Sequence, residues 1–178
     1  MAEVNIYRAF KLGKEVFQSL LVNDNTFKMD WWLEKSGGVP RHIHYYLDKH
    51  FEVPQGPVSF LVDGKKLLKN TGETLIVPKG IKHGIKNESS NKINVRVIYA
   101  PEVDVIKMFK IIACLNEKNP GSSANMIKYF YLYPRLGLKS FSEMPSKSGM
   151  SFMHGVLNFI GFFAGWKKLI SDIRPRIN

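Results

Sequence analysis

His42 and His44 stand two residues apart in the stretch RHIHYYLDKHFEVPQG, residues 41–56. Alternate residues of a β-strand face the same side, so one strand can present both imidazoles to one ligand. Imidazole is a common protein donor to zinc, copper, iron and nickel at neutral pH. Five positions after His44, where a carboxylate would complete such a donor set, stands Lys49. A cation is the wrong charge for a metal ligand, but it can grip an anion. If Lys49 faces inward on a strand, then Asp48, His50 and Glu52 face outward. Bringing one of them in requires a bulge or a register slip.

These side chains need strands to position them, and residues 26–100 read as short strands broken by turns. TFKMDWWLE is rich in β-branched and aromatic residues, and one of Trp31 and Trp32 is expected to line the core or pocket. PVSFLVDGKKLLK reads as a hairpin with Asp63-Gly64 as its two-residue turn. GETLIVPKG is a strand between turn glycines, and its Pro78-Lys79-Gly80 turn aims His83 back inward. KINVRVIYAP alternates apolar and polar residues with period two. Strands at this spacing indicate a sandwich or barrel and exclude a βαβ fold. The first 25 residues are expected to add edge strands or a swapped arm.

At Pro101 the pattern turns helical. EVDVIKMFKIIACLNEK places Val105, Phe109 and Ile112 on one stripe, with Cys114 as an inert core thiol. NPGSSANMIKYFYLYPR offers Ser122 or Ser123 as an N-cap and Pro134 near its end. SFMHGVLNFIGFFAGWKKLI reads as a third helix with Phe152, Val156, Phe159, Phe163, Trp166 and Ile170 on one stripe. That stripe is expected to pack on the other helices or on a dimer mate. Its apolar run is marginal as a membrane span, which needs ~20 apolar residues. A membrane surface, with Lys167 and Lys168 as its basic flank, is the sharper alternative.

The 178 residues suit one domain or one domain with an appendage, and 44% hydrophobic content supports a real core. The net charge is +11, of which about +8 falls in residues 105–178. There is no zinc-finger spacing, no aromatic-basic RNA-binding signature and no dense Arg cluster, so nucleic acid is not an expected partner. Cys114 is the single cysteine, and the N-terminus lacks the apolar run of a signal peptide. The expected compartment is the cytoplasm.

Two stretches together resemble the cupin superfamily. The first holds Gly37 or Gly38, then His42, His44 and Gly56. The family's first motif is a glycine, His-x-His, a glutamate after three or four residues, and a glycine. The second stretch, GETLIVPKGIKHGIKN, matches Gly-x5-Pro-x-Gly-x2-His-x3-Asn at Gly72, Pro78, Gly80, His83 and Asn87. The resemblance covers roughly residues 30–100 and implies a mainly β fold, a cupin-type double-stranded β-helix (jelly-roll) barrel. A C-terminal α-helical extension follows it. Residues 1–101 would form the barrel with N-terminal edge strands, and 102–178 the extension, packed on the barrel or a dimer mate. The resemblance also implies a homodimer and a divalent transition metal (Fe, Mn, Ni, Zn or Cu) on His42, His44 and His83. The sequence departs from the family at the glutamate: a four-residue gap puts Lys49 there, a three-residue gap Asp48. Lys49 is therefore the expected substrate-binding cation, and Asp48 the candidate additional ligand. Asn87 is expected in a turn, Arg41 in solvent, and His50 and His154 in ordinary roles.

The function implied is small-molecule binding at this metal, as in a metal-dependent oxygenase or isomerase. Two alternatives stay open. One is a non-catalytic binding or sensor protein, metal-free, with Lys49 binding an anionic ligand. The other is a membrane-associated scaffold acting through the C-terminal helix.

Overall fold

The computed structural model describes residues 10–12, 14–22, 25–101, 104–138 and 147–177. The described residues form ten strands, β1 (Phe10–Leu12), β2 (Glu15–Val22), β3 (Phe27–Leu33), β4 (Gly38–His42), β5 (Asp48–Gln55), β6 (Val58–Val62), β7 (Lys65–Lys69), β8 (Thr74–Val77), β9 (His83–Lys86) and β10 (Ile93–Ala100). They form two antiparallel sheets, in the orders β1-β2-β3-β10-β5-β8 and β4-β9-β6-β7. The expected N-terminal edge is β1 and β2, with β2 paired to β3. Residues 1–9, included in the expected arm, lie outside the described residues.

Alternation decides which side chains enter the barrel. On β3, Phe27, Met29, Trp31 and Leu33 are buried, and on β10, Ile93, Val95, Val97 and Tyr99 are. Each such apolar side chain contributes about 1.5–3 kcal/mol of burial. On β5 the inward set is Lys49, Phe51 and Val53, while Asp48, His50 and Glu52 are half-buried on the other face. The parity anticipated from sequence holds. Between β6 and β7, Asp63 and Gly64 both take positive φ, 48° and 79°, as a two-residue hairpin turn with matching strand twist requires.

Helix α1 (Val105–Lys118) buries Val105, Met108, Phe109, Ile111, Ile112 and Cys114. Helix α2 (Ala124–Leu132) begins after Ser123, whose hydroxyl makes no cap bond, while the Ser122 hydroxyl accepts from Ala124 N at 3.3 Å. Pro134 lies in the 3-10 turn that follows α2.

The third expected helix divides into α3 (Lys147–Phe163) and α4 (Lys167–Ile177). Gly165 takes φ 67° and stops α3. Trp166 N donates to Gly161 O at 2.9 Å and Gly165 N to Phe162 O at 3.4 Å, the paired bonds of a Schellman end. Helix α4 buries Ile173 and Ile177, and the pairs Lys118–Asp172 (3.3 Å) and Arg176–Glu117 (2.8 Å) join it to α1. The expected packing stripe does not pack as one unit. Phe152, Val156, Phe159 and Phe163 are exposed, while Trp166 and Ile170 are half-buried. Helix α3 instead buries Leu157 and Gly161. At Gly161 an added Cβ would sit 2.5 Å from the Tyr131 ring, so α3 reaches α2 where a side chain is missing.

Candidate metal centre and the cavity beside it

The site is assembled across two strands of the four-stranded sheet. Val39 pairs with Ile85, and His42 with His83, so Pro40 and Arg41 together oppose Gly84. This is a β-bulge, a device that re-aims side chains. Proline suits it because it has no N–H for the ladder, and Gly84 suits it because an added Cβ would meet Val39 O at 3.1 Å and Arg41 N at 3.2 Å. The bulge sets His42 directly opposite His83. His44 follows in the loop after β4, where its carbonyl accepts Gly80 N at 2.7 Å and so ties the Pro78–Gly80 turn to the site.

The three histidines are buried, and one ring nitrogen from each lies within 4.8 Å of the others. His42 Nδ1 is 2.8 Å from Pro40 O and His83 Nδ1 is 2.9 Å from Ile81 O. A carbonyl only accepts, so in each ring Nδ1 carries the hydrogen and Nε2 carries a lone pair. Burial, with the Lys49 charge next, holds His42 well below the usual imidazole range and lowers His83 to about 3. Both rings are therefore neutral donors at physiological pH. His83 Nε2 has no hydrogen-bond partner among the described residues.

Lys49 enters from β5. It is only 3% exposed, and its Nζ lies 2.9 Å from His42 Nε2. The amine also faces the rings of Tyr99 at 5.2 Å, Trp31 at 5.5 Å and Phe51 at 6.0 Å. Among the described residues no carboxylate pairs with it. Burial lowers its pKa to about 7.

Beside this cluster is a cavity of about 160 Å³. Its barrel side includes Trp31, Tyr99, His42, His44 and Lys49, with Phe17, Val39 and Pro40 beside them; Met108, Phe109 and Ile112 of α1 and Met126, Tyr129 and Phe130 of α2 close the other side. The helical extension is thus one wall of the pocket. Sequence reasoning missed those helix residues. Their spacing signals burial, and nothing in the spacing separates a core contact from a cavity wall.

Of the expected site residues, the structure brings together His42, His44, His83 and Lys49. Asp48 it does not. That carboxylate lies on the outer face of β5 and accepts Lys79 N at 2.7 Å, bracing the turn before His83. It is a turn anchor, and the parity of β5 keeps it from the cluster. Asn87 is a turn residue as expected: its Nδ2 donates to Leu33 O (2.9 Å) and Asn91 O (2.7 Å). Cys114 is buried and burial raises its thiol to about 11, which keeps it an inert protonated thiol. Trp31 is the tryptophan that lines the pocket.

Three buried imidazoles converge here, two of them held neutral and that of His83 with its lone pair unsatisfied, and such a set fits a divalent transition ion. Lys49 is the residue foreign to such a set, since its amine uses the His42 lone pair.

No family model and no curated protein matches the sequence. Solved structures do. An RmlC-like cupin from Shewanella frigidimarina aligns with TM-score 0.50 and 20% identity over 54% of this chain and 85% of that one. KdgF from a Halomonas species aligns with TM-score 0.49 and 16% identity, over 51% and 82%. The polyketide cyclase RemF from Streptomyces resistomycificus aligns with TM-score 0.48 and 18% identity, over 57% and 80%. The chain has the cupin fold, a double-stranded β-helix barrel, carrying a C-terminal helical extension that walls its pocket.

Proposed function

We propose that this chain is a small-molecule-binding cupin that holds one divalent transition metal on His42, His44 and His83. The observation that carries this reading is the lone pair of His83 Nε2, buried with no described donor. A buried acceptor left unsatisfied costs about 1–3 kcal/mol, and a bound cation removes that cost. When bound, the metal supplies Lewis-acid polarisation of a ligand oxygen. The chain's own residues do the rest. The carbonyls of Pro40 and Ile81 hold His42 and His83 in the tautomer that offers Nε2. Aromatic and Met side chains from β3, β10, α1 and α2 make most of the cavity wall apolar. Lys49 delivers a hydrogen-bond donor, cationic when protonated, to the polar end of an otherwise apolar space. The ligand class that fits is a small, largely apolar molecule with one anionic group, such as a carboxylate.

A second reading is favoured by the Lys49–His42 hydrogen bond. In it Lys49 stands in for the metal, and the cluster binds the carboxylate without one. Titrating small aliphatic and aromatic carboxylates into metal-stripped and metal-loaded protein separates the two. The metal reading expects at least tenfold tighter binding to the loaded form. Equal affinity for both forms supports the second reading, and binding to neither removes the ligand class.

A further inference from the structure

Helix α3 turns its large apolar side chains outward. Phe152, Phe159, Phe162 and Phe163 are 75%, 69%, 79% and 73% exposed, and Val156 and Ile160 are exposed beside them. The side opposite, through Leu157 and Gly161, rests on the protein. The four phenylalanines alone offer on the order of 600 Å² of apolar surface. That reaches the upper end of the largest patch on an ordinary monomer, roughly 300–600 Å², so the face calls for an occupant. Rings at its C-terminal end already touch one another, with centroids of Phe159–Phe163 at 5.0 Å and Phe162–Phe163 at 5.3 Å.

Charge around the face selects the occupant. From Lys147 to Ser171 the chain has three lysines and no acidic residue. Lys167 and Lys168 are exposed just past the phenylalanines, and the next acid, Asp172, is already paired with Lys118. A second copy docked face to face would bring like charges together. In parallel, the lysine pair would meet its own copy. Antiparallel, it would meet the start of α3, where the helix end is positive. An anionic lipid surface complements every one of these charges. No described helix is long and apolar enough to cross a membrane, so the face can lie on a bilayer but α3 does not span it.

We propose that α3 is an interfacial anchor: its phenylalanine face enters the headgroup layer of an anionic membrane while Lys167 and Lys168 contact the lipid charges. This reverses the packing role expected from the stripe in the sequence, because the structure leaves the stripe exposed. The barrel pocket has no part in it.

The test uses the full untagged chain and vesicles of phosphatidylcholine with or without 30% phosphatidylserine, about the order of anionic content that gives a strong surface potential. Flotation at physiological salt should recover the protein with the anionic vesicles, and several-fold less with the neutral ones. F159S/F163S should weaken partitioning at least tenfold. Lys167→Glu with Lys168→Glu should weaken it at least tenfold on anionic vesicles and steepen no salt dependence. All four positions are exposed, so circular dichroism should show each variant folded as wild type. Two results overturn the proposal. One is wild-type protein that stays with the buffer in both vesicle series. The other is a dimer by light scattering that F159S/F163S converts to monomer without any vesicle binding in wild type, which makes the occupant a second copy.

Discussion

Lys49 Nζ donates to His42 Nε2 across 2.9 Å, inside the barrel and away from every described carboxylate. The amine therefore sits on one of the three nitrogens a metal would use. On the proposed metal reading, this contact bears on the affinity of the site, its stability and its response to pH.

Lys49→Glu should tighten divalent metal binding at least tenfold. The substitution frees His42 Nε2, adds an oxygen donor at an inward-facing position of β5, and replaces a charge of the same sign as the metal. Calorimetric titration of both proteins with the same metal checks it. Equal or weaker binding by the variant would mean that residue 49 does not reach the ion.

Lys49→Met should stabilise the fold near neutral pH. The folded pKa of Lys49 is about 7, against 10.5 for the exposed residue. Between those values the unfolded chain binds the extra proton, so stability is fully present above about 10.5 and falls as pH drops toward 7. That difference is worth roughly 5 kcal/mol. Leaving His42 Nε2 without a donor returns about 1–3 kcal/mol. A net gain of about 2 kcal/mol at pH 7, shrinking by pH 10, should appear in urea unfolding at the two pH values. A loss at pH 7 would contradict the buried-charge account.

Acidification should destabilise the metal-free protein from about pH 6.5 downward. His42 and His83 are held below their unfolded values by burial, His83 at about 3. Below 6.5 the unfolded rings take up protons that the folded ones refuse, and stability falls with pH until the folded rings titrate. Replacing His83 with Phe should flatten the slope of unfolding free energy between pH 6 and pH 4. An unchanged slope would place the responsible groups elsewhere.

Asp48→Ala should leave metal affinity within about twofold and cost roughly 1 kcal/mol of stability, since it removes the acceptor for Lys79 N and nothing from the cluster. A tenfold loss of metal affinity with stability retained would restore Asp48 as a ligand.

Much of the barrel was legible in the sequence because its signals are local. The Asp63-Gly64 turn, the Pro78–Gly80 turn and the period-two alternation each act within a few residues; alternation sets Asp48, His50 and Glu52 on the face opposite Lys49, while the inward placement of Lys49 came from the motif resemblance. The histidine cluster was legible in part for the same reason: the His-x-His spacing and the turn before His83 single out the three residues, although His44 stands in the loop after β4 and not on the strand that the spacing suggested. What was hidden depends on contacts between distant segments. The stripe from Phe152 to Ile170 reads as one packing helix until Gly165 is seen to break it and Gly161 to dock it on Tyr131 by the opposite side. The bulge of Pro40 and Arg41 against Gly84 exists only once β4 and β9 are paired. The pocket wall of α1 and α2 was hidden because burial against a cavity and burial against a core leave the same helical spacing.

The most direct test of the metal-centred account is the metal stoichiometry and affinity of the untagged wild-type protein. Metal-stripped protein titrated with zinc, nickel, manganese and ferrous iron should bind one ion per chain, with Kd below about 1 µM, a free energy near −8 kcal/mol, for at least one of them. His83→Ala should lose at least tenfold of that affinity while keeping the barrel's circular dichroism. Wild-type protein that takes up none of these ions at micromolar concentration would contradict the account and leave Lys49 as the cation the three histidines were built to hold.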